Sequence, residues 1–442
     1  MLKTAHKSFS FSLGFSFFTR HSLGRMLVLL VSLFPCLAQA PFEKGSAGDR
    51  AVEEYMNTLS EAEIVSQLFL VNIQGDSDYR AVEDTGDIYG GKSSVPLVPG
   101  GCLLFSYNIA GSAEGLIEFN KSIADYCDAH DIVRPYISTD QEGGLVNRLK
   151  SVTSYLPSSE KVRTKMSASA SFYLYASQAR QMKALGFDLN LAPVVEPEEE
   201  WNKDFLMNRS FGDAPLSCAY SLSAVRAYQD NGIGAVIKHF PGNTNTDPHT
   251  GLPEIKASQK DIMLYYIAPF AFILSSSPDG VLMSHARVEG MDGETPACLS
   301  RLWVNEILLG KLGYKGLVFS DDIFMGALAD NGFPPEKAAV DALTYGVDVI
   351  MLSEKKFGSV ARVILDKAKE DEAFDRRVRE ACKKVLEFKI KKGILNLVEN
   401  EDGSFSVVKA SFEKQGGTVE ERLEEYSRAF DEGRSIYDRN FR

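Results

Sequence analysis

The chain has 442 residues, 44% hydrophobic and 24% charged, an ordinary globular mixture long enough for one large α/β barrel or two domains. Its 60 acidic and 48 basic residues give a net charge of −12, which argues against a nucleic-acid surface, and no basic cluster offsets it. Neutral or cationic small molecules suit such a balance better.

Residues 1–40 read as a targeting segment outside the fold. Met1 to Arg25 is basic through Lys3, Lys7, Arg20 and Arg25, and no acid precedes Glu43. Met26–Phe34 is apolar but too short to span a bilayer as a stable helix. Ala38-Gln39-Ala40 then supplies small residues at a cleavage-like spacing, as a secretory signal would. Pro41 is a poor neighbour for that cut, and Leu33-Phe34-Pro35-Cys36 offers a second reading, a lipoprotein signal acylated at Cys36. A start at Met26 weakens both. The expected location is periplasmic, extracellular or lipid-anchored at the cell envelope. The six cysteines (36, 102, 127, 218, 298, 382) lie far apart without CxxC pairs, so free, inert thiols are expected rather than a zinc site or a disulfide framework.

From residue 50 the chain alternates. Apolar strand-like runs occur at Leu68–Ile73, Gly101–Phe105, Pro135–Ser138, Leu189–Ala192, Ala235–Ile237, Gly280–Met283, Gly316–Phe319 and Val347–Leu352. Helix-period segments lie between most of them, at Ala113–His130, Ser167–Leu185, Cys218–Asn231, Gln259–Ser275, Ser300–Leu312 and Pro335–Tyr345. Apolar runs between amphipathic helices imply parallel strands buried on both faces. Eight such units predict a (β/α)8 TIM-type barrel over residues 50–395; an open α/β sheet with an extra lobe is the alternative. Lys355–Lys369 and Arg376–Lys392 read as closing helices, and residues 396–442 as a polar tail with one helix at Val419–Phe430.

In such a barrel the chemistry sits at the carboxyl ends of the strands. Reading just past each run finds Asp140, then Lys238 and His239, then Ser284-His285, then Asp321-Asp322. After the fifth run, Pro241-Gly242 turns into a polar loop holding Asp247 and His249. An acid two residues before a histidine can fix the ring's tautomer and keep it exchanging a proton near neutrality, although a chance Asp-x-His is the bland alternative. Glycoside cleavage needs a nucleophile and an acid/base, and Asp321 at a strand tip is the nucleophile candidate. Asp322 should point away and hold the loop or a helix start. Asp247, His249, His239 and His285 are zinc-ligand types, but they lack HExxH or HxH spacing, and no G-x-S-x-G is present. No metal or cofactor is implied.

Five motifs now line up in order. Asp140-Gln-Glu-Gly-Gly-Leu-Val-Asn-Arg148, Asn208-Arg-Ser-Phe-Gly212, Lys238-His-Phe-Pro-Gly242, Asp247-Pro-His249 and Ser320-Asp-Asp322 resemble glycoside hydrolase family 3, most of all its single-barrel β-N-acetylhexosaminidases. The resemblance covers residues 60 to 395 and implies a retaining exo-glycosidase acting on terminal β-linked N-acetylglucosamine of peptidoglycan fragments or chitin oligomers. It gives Asp321 as nucleophile and His249 as acid/base, held by Asp247 on a mobile loop. Asp140, Arg209, Lys238 and His239 match residues that grip the sugar hydroxyls, Arg148 closes the first motif, and His285 sits beside the subsite. A β-glucosidase, a β-N-acetylglucosaminide phosphorylase and a glycan-binding lipoprotein without activity are the alternatives on this scaffold. The chain departs from the pattern in three places. The loop after Pro241-Gly242 is two residues shorter than usual, Glu196 stands where Asp is usual, and Gly75–Val98 is long and polar.

Overall fold

Eight parallel strands close on themselves in the computed structural model, which describes residues 43–81, 83–84, 96–249 and 251–442. The targeting segment with Cys36, and residues 82 and 85–95 of the Gly75–Val98 stretch, lie outside the described residues. Two helices, α1 (Ala47–Met56) and α2 (Glu61–Ser66), precede the barrel. The strands are β1 (Phe69–Asn72), β2 (Gly101–Leu104), β3 (Tyr136–Thr139), β4 (Leu189–Asn190), β5 (Gly234–Phe240), β6 (Gly280–Met283), β7 (Leu317–Asp322) and β8 (Val349–Ser353). Each pairs with its sequence neighbours. The ring closes where β1 pairs with β8 at Phe69–Ile350 and with β2 at Leu70–Gly101. The open-sheet alternative therefore does not hold.

Every predicted strand forms, but β5 and β7 run further than their apolar stretches. They continue through Lys238-His239-Phe240 and Ser320-Asp321-Asp322, because these polar side chains find partners above the barrel floor. That floor is an inner cluster including Leu70, Leu103, Tyr136, Leu189, Leu282, Phe319 and Met351. Gly101 is required there, since a Cβ would run into the Tyr136 ring. A larger outer cluster fills the space between strands and helices.

The crossover helices start where a side chain takes over an unpaired amide. Ser112, Ser167 and Asp213 accept from the third residue of α3 (Ala113–Ala129), α4 (Ala168–Ala184) and α5 (Ala214–Asp230). After β5 a π-helical turn, Ile262–Ile267, leads into α6 (Ala268–Leu274), and Leu302–Lys311 is likewise wound as a π-helix. α7 (Pro335–Tyr345), α8 (Phe357–Glu370) and α9 (Glu372–Lys391) complete the ring.

α9 also plugs the amino-terminal end of the barrel. Phe388 meets the Tyr136 ring edge-on at 5.3 Å, and Arg377 and Lys384 each lie 2.6 Å from buried Asp348, just before β8. The segment after residue 395 is folded against the barrel rather than a loose tail. β9 (Leu395–Glu399) and β10 (Phe405–Lys409) form a hairpin, and α10 (Val419–Phe441) extends past its expected end at Phe430. Arg422, 2% exposed, lies 3.9 Å over the Phe412 ring, and the Ser177 hydroxyl donates to the Ala429 carbonyl. The five described cysteines are buried free thiols. Among the described residues no helix is long and apolar enough to cross a membrane.

Candidate active site

At the carboxyl ends of the strands a cavity of about 430 Å³ opens over the apolar floor. Asp140, Arg148, Arg209, Lys238, His239, His249 and Asp321 line it, from the ends of four strands, β3, β4, β5 and β7, or the connections that follow them. Asp247 and His285 are not in the lining; each stands behind a residue that is.

The grip on one side of the cavity is a chain of charges. The Lys238 ammonium lies 2.6 Å from Asp140 and 2.7 Å from Glu142, and Arg209 clamps Glu142 through Nε and Nη2 at 2.8 and 3.0 Å. Burial pulls Glu142 toward its neutral form, yet Arg209 and Lys238 overcome it and hold the carboxyl well below its ordinary value. Burial likewise favours neutral Lys238, and Asp140 and Glu142 outweigh it, raising the ammonium above 10.5. Glu142 was missing from the sequence candidates. The signal was present: in extended chain Asp140 and Glu142 share a face, so a cavity that takes the first takes the second.

A second carboxylate, also unassigned from sequence, organises β5. Glu196 Oε1 accepts from His239 Nδ1 at 2.6 Å, which leaves Nε2 as the nitrogen for a ligand, and Oε2 accepts from the Asn243 N–H at 2.6 Å. The glutamate side chain at this position reaches both His239 and the base of the loop that follows β5. Asn243 is in turn anchored by the Ser284 hydroxyl, which donates to its carbonyl at 3.0 Å.

That loop carries the dyad. Asp247 Oδ1 is 2.7 Å from His249 Nδ1 and accepts the His249 N–H at 2.9 Å, and the latter bond chiefly holds Asp247 below its ordinary value. The His249 side chain is 70% exposed, so solvent has access to it. Its tip docks on the connection after β7, where the Ala327 N–H donates to the Pro248 carbonyl at 3.0 Å.

Across the cavity stands Asp321. Burial alone would raise its pKa, but His285, His239, the Asp322 N–H at 2.9 Å and Lys238 together lower it. His285 is buried and pushed toward the neutral form by burial. Its Nε2–H donates to the Asp322 carbonyl at 3.0 Å and its Nδ1 faces the Cys298 thiol at 3.2 Å, a tautomer that suits a neutral ring. Asp322 does not point away as expected. It lines the cavity while its Oδ1 accepts from Phe324 N–H at 2.9 Å, and burial raises its carboxyl to about 6. The reason is a register shift between Phe319 and Asp322 where β7 pairs with β8, which breaks strand alternation. Among the described residues no three His, Cys, Asp or Glu side chains gather as metal ligands.

Comparison with known proteins agrees with this arrangement. The Glycosyl hydrolase family 3 N terminal domain matches residues 100–388. Beta-hexosaminidase A of Pseudoalteromonas piscicida is 28% identical over 280 residues, 57% of this chain; the chain spans 45% of that relative's length. Beta-hexosaminidase LpqI of Mycobacterium tuberculosis is 28% identical over 305 residues, 66% of this chain and 73% of the relative. The structure of a family 3 β-N-acetylglucosaminidase from Paenibacillus superposes with a TM-score of 0.66 at 24% identity, covering 85% of this chain and 69% of that one, and so shares the fold. With the family domain spanning β2 to α9 and the charged cavity at its centre, the chain belongs to glycoside hydrolase family 3.

Proposed function

We propose that this chain is a retaining exo-glycosidase that releases terminal β-linked N-acetylglucosamine from oligosaccharides or peptidoglycan fragments. The observation that carries the reading is that Asp321 and His249 open onto one cavity, beside charged side chains suited to sugar hydroxyls. Relatives named beta-hexosaminidases support the sugar class.

In this reading the non-reducing sugar sits against Asp140, Arg148, Arg209, Lys238 and the free nitrogen of His239. Asp321, anionic and fixed on a strand end, attacks the anomeric carbon while His249 gives its proton to the departing oxygen. Asp247 holds the imidazole and stabilises it when charged. His249 then takes a proton from water, which releases the sugar from Asp321 with retained configuration. An imidazole in place of a second carboxylate leaves less negative charge facing an anionic acceptor. Phosphorolysis is therefore the second reading, and sugar-1-phosphate formed in phosphate buffer decides for it.

Activity on an aryl β-N-acetylglucosaminide tests the assignment, and the aryl β-glucoside separates the sugar classes. Asp321→Asn lowers turnover by a factor on the order of 10⁴ or more while the melting curve stays native-like. His249→Ala costs about 10²- to 10⁴-fold on substrates with poor leaving groups and far less on activated ones. Near-native rates of both variants on a natural disaccharide refute the roles, and a chain inactive on every glycoside that still binds N-acetylglucosamine oligomers is a glycan binder. The basic and apolar opening of the chain supports export, with the lipid on Cys36 or cleavage after Ala40 distinguished by the mass of the mature protein.

A further inference from the structure

The loop between β5 and the dyad is held at its base by Asn243 and at its tip by Pro248, and between them Asn245 reaches sideways. Its carbonyl accepts from the Asp204 N–H at 2.9 Å and its NH2 donates to the Glu200 carbonyl at 3.0 Å. Both partners are backbone groups of the segment following β4, at the start of the short helix Lys203–Leu206. A primary amide holds its donor and its acceptor on separate atoms and matches this pair; a carboxylate only accepts, and a hydroxyl donates and accepts through a single oxygen. The segment it grips is itself fixed, since Trp201 stacks on Tyr266 at 6.1 Å and Asn202 donates to the Pro197 carbonyl at 3.0 Å. Asn245 stands two residues before Asp247 and four before His249.

We propose that Asn245 is a positioning residue that latches the acid/base loop to the segment after β4 and so sets where His249 meets the departing oxygen. The proposal rests on His249 being the acid/base. Neither hydrogen bond is buried, so the latch adds little to global stability, and its effect falls on proton transfer, which is sensitive to a displacement on the order of 1 Å.

The test is Asn245→Ala assayed on aryl β-N-acetylglucosaminides of graded leaving-group ability, beside His249→Ala. Asn245→Ala is expected to lose about tenfold in kcat/KM, which reports the first displacement, on the phenyl glycoside and less than about twofold on the dinitrophenyl glycoside, at an almost unchanged melting temperature. Asn245→Asp keeps the acceptor for Asp204 N–H and is expected to fall between. Trp201 supplies a spectroscopic check, because the other tryptophan, Trp303, is fully buried; its emission should shift in the Ala variant as the neighbouring Glu200 carbonyl loses its donor. A loss equal on all aryl groups, or no loss, overturns the latch. If His249→Ala also lacks leaving-group dependence, the acid/base reading beneath it fails as well; if only Asn245→Ala does, the latch fails alone.

Discussion

Glu142→Gln keeps the shape of the site and removes one charge, which makes it the sharpest probe of how the sugar grip is held. In the native protein this carboxylate, 6% exposed, takes two bonds from Arg209 and one from Lys238. The amide turns one accepting oxygen into a donor facing donors and leaves two buried cations with Asp140. Removing one partner of a buried ion pair costs about 3–5 kcal/mol, and Asp140, 2.6 Å from Lys238, places the expectation near the low end. For a chain of this size that lowers Tm by about 3–4 °C. Lys238 also changes its pH behaviour. Its folded value is raised above 10.5, so its contribution is complete below that pH and lost as pH rises through the higher folded value. Without Glu142 the folded value falls back toward 10.5, so the window of alkaline loss narrows and the variant's deficit relative to the native protein is largest near neutrality and shrinks as pH rises through that window. Melting curves between neutral and alkaline pH read both effects. KM should rise by about tenfold or more where Lys238 and Arg209 bind sugar hydroxyls as proposed, since both cations lose their orientation. A variant with native Tm, native alkaline stability and native KM refutes the hub.

Two further perturbations address the cavity wall and its floor. Asp322→Asn keeps the oxygen that accepts from Phe324 N–H but removes a carboxyl raised to about 6. Its native charge becomes unfavourable as pH rises from the unfolded value of 3.8 through about 6, so the variant should gain stability relative to the native protein across that window. Denaturant melts at several pH values check this, and a pH-independent difference refutes it. Phe319→Ala empties a fully buried ring position in the barrel interior and should cost about 3–5 kcal/mol with a single cooperative transition. A loss below about 1 kcal/mol would mean the floor is not packed as described.

The barrel was legible because strands buried on both faces read as unbroken apolar runs separated by helix-period segments. Hydrophobicity also set the limit of that reading. It stopped β5 at Ile237 and β7 at Phe319, although both strands continue into the residues that line the cavity. A polar residue belongs to a strand when its partner lies elsewhere in the fold. Lys238 and Asp140 are 98 positions apart, and Arg209 and Glu142 are 67, distances at which no local pattern speaks. Glu196 was visible as a substitution but not as a hub, since its partners become neighbours through strand pairing. The same holds for α10, whose charged sequence hides an Arg422 buried against Phe412.

Sequence position alone singled out Asp321 among the carboxylates, and the structure supplies a physical ordering of them. Asp140 and Glu142 are ion-paired with Lys238 or Arg209, which fixes their orientation and reduces their electron-pair donation to a carbon. Asp322 is raised to about 6 and directs one oxygen at the Phe324 amide. Asp321 differs from all three. Its pKa is lowered by His285, His239, the Asp322 N–H and the more distant Lys238 rather than by a contact cation, and among the described residues no Lys or Arg lies in ion-pair contact with it. A nucleophile needs to be charged and yet not neutralised at close range. Dipoles and imidazoles meet both requirements where a salt bridge would meet the first alone, so the strand-end aspartate without a cation partner is the one the geometry favours for attack.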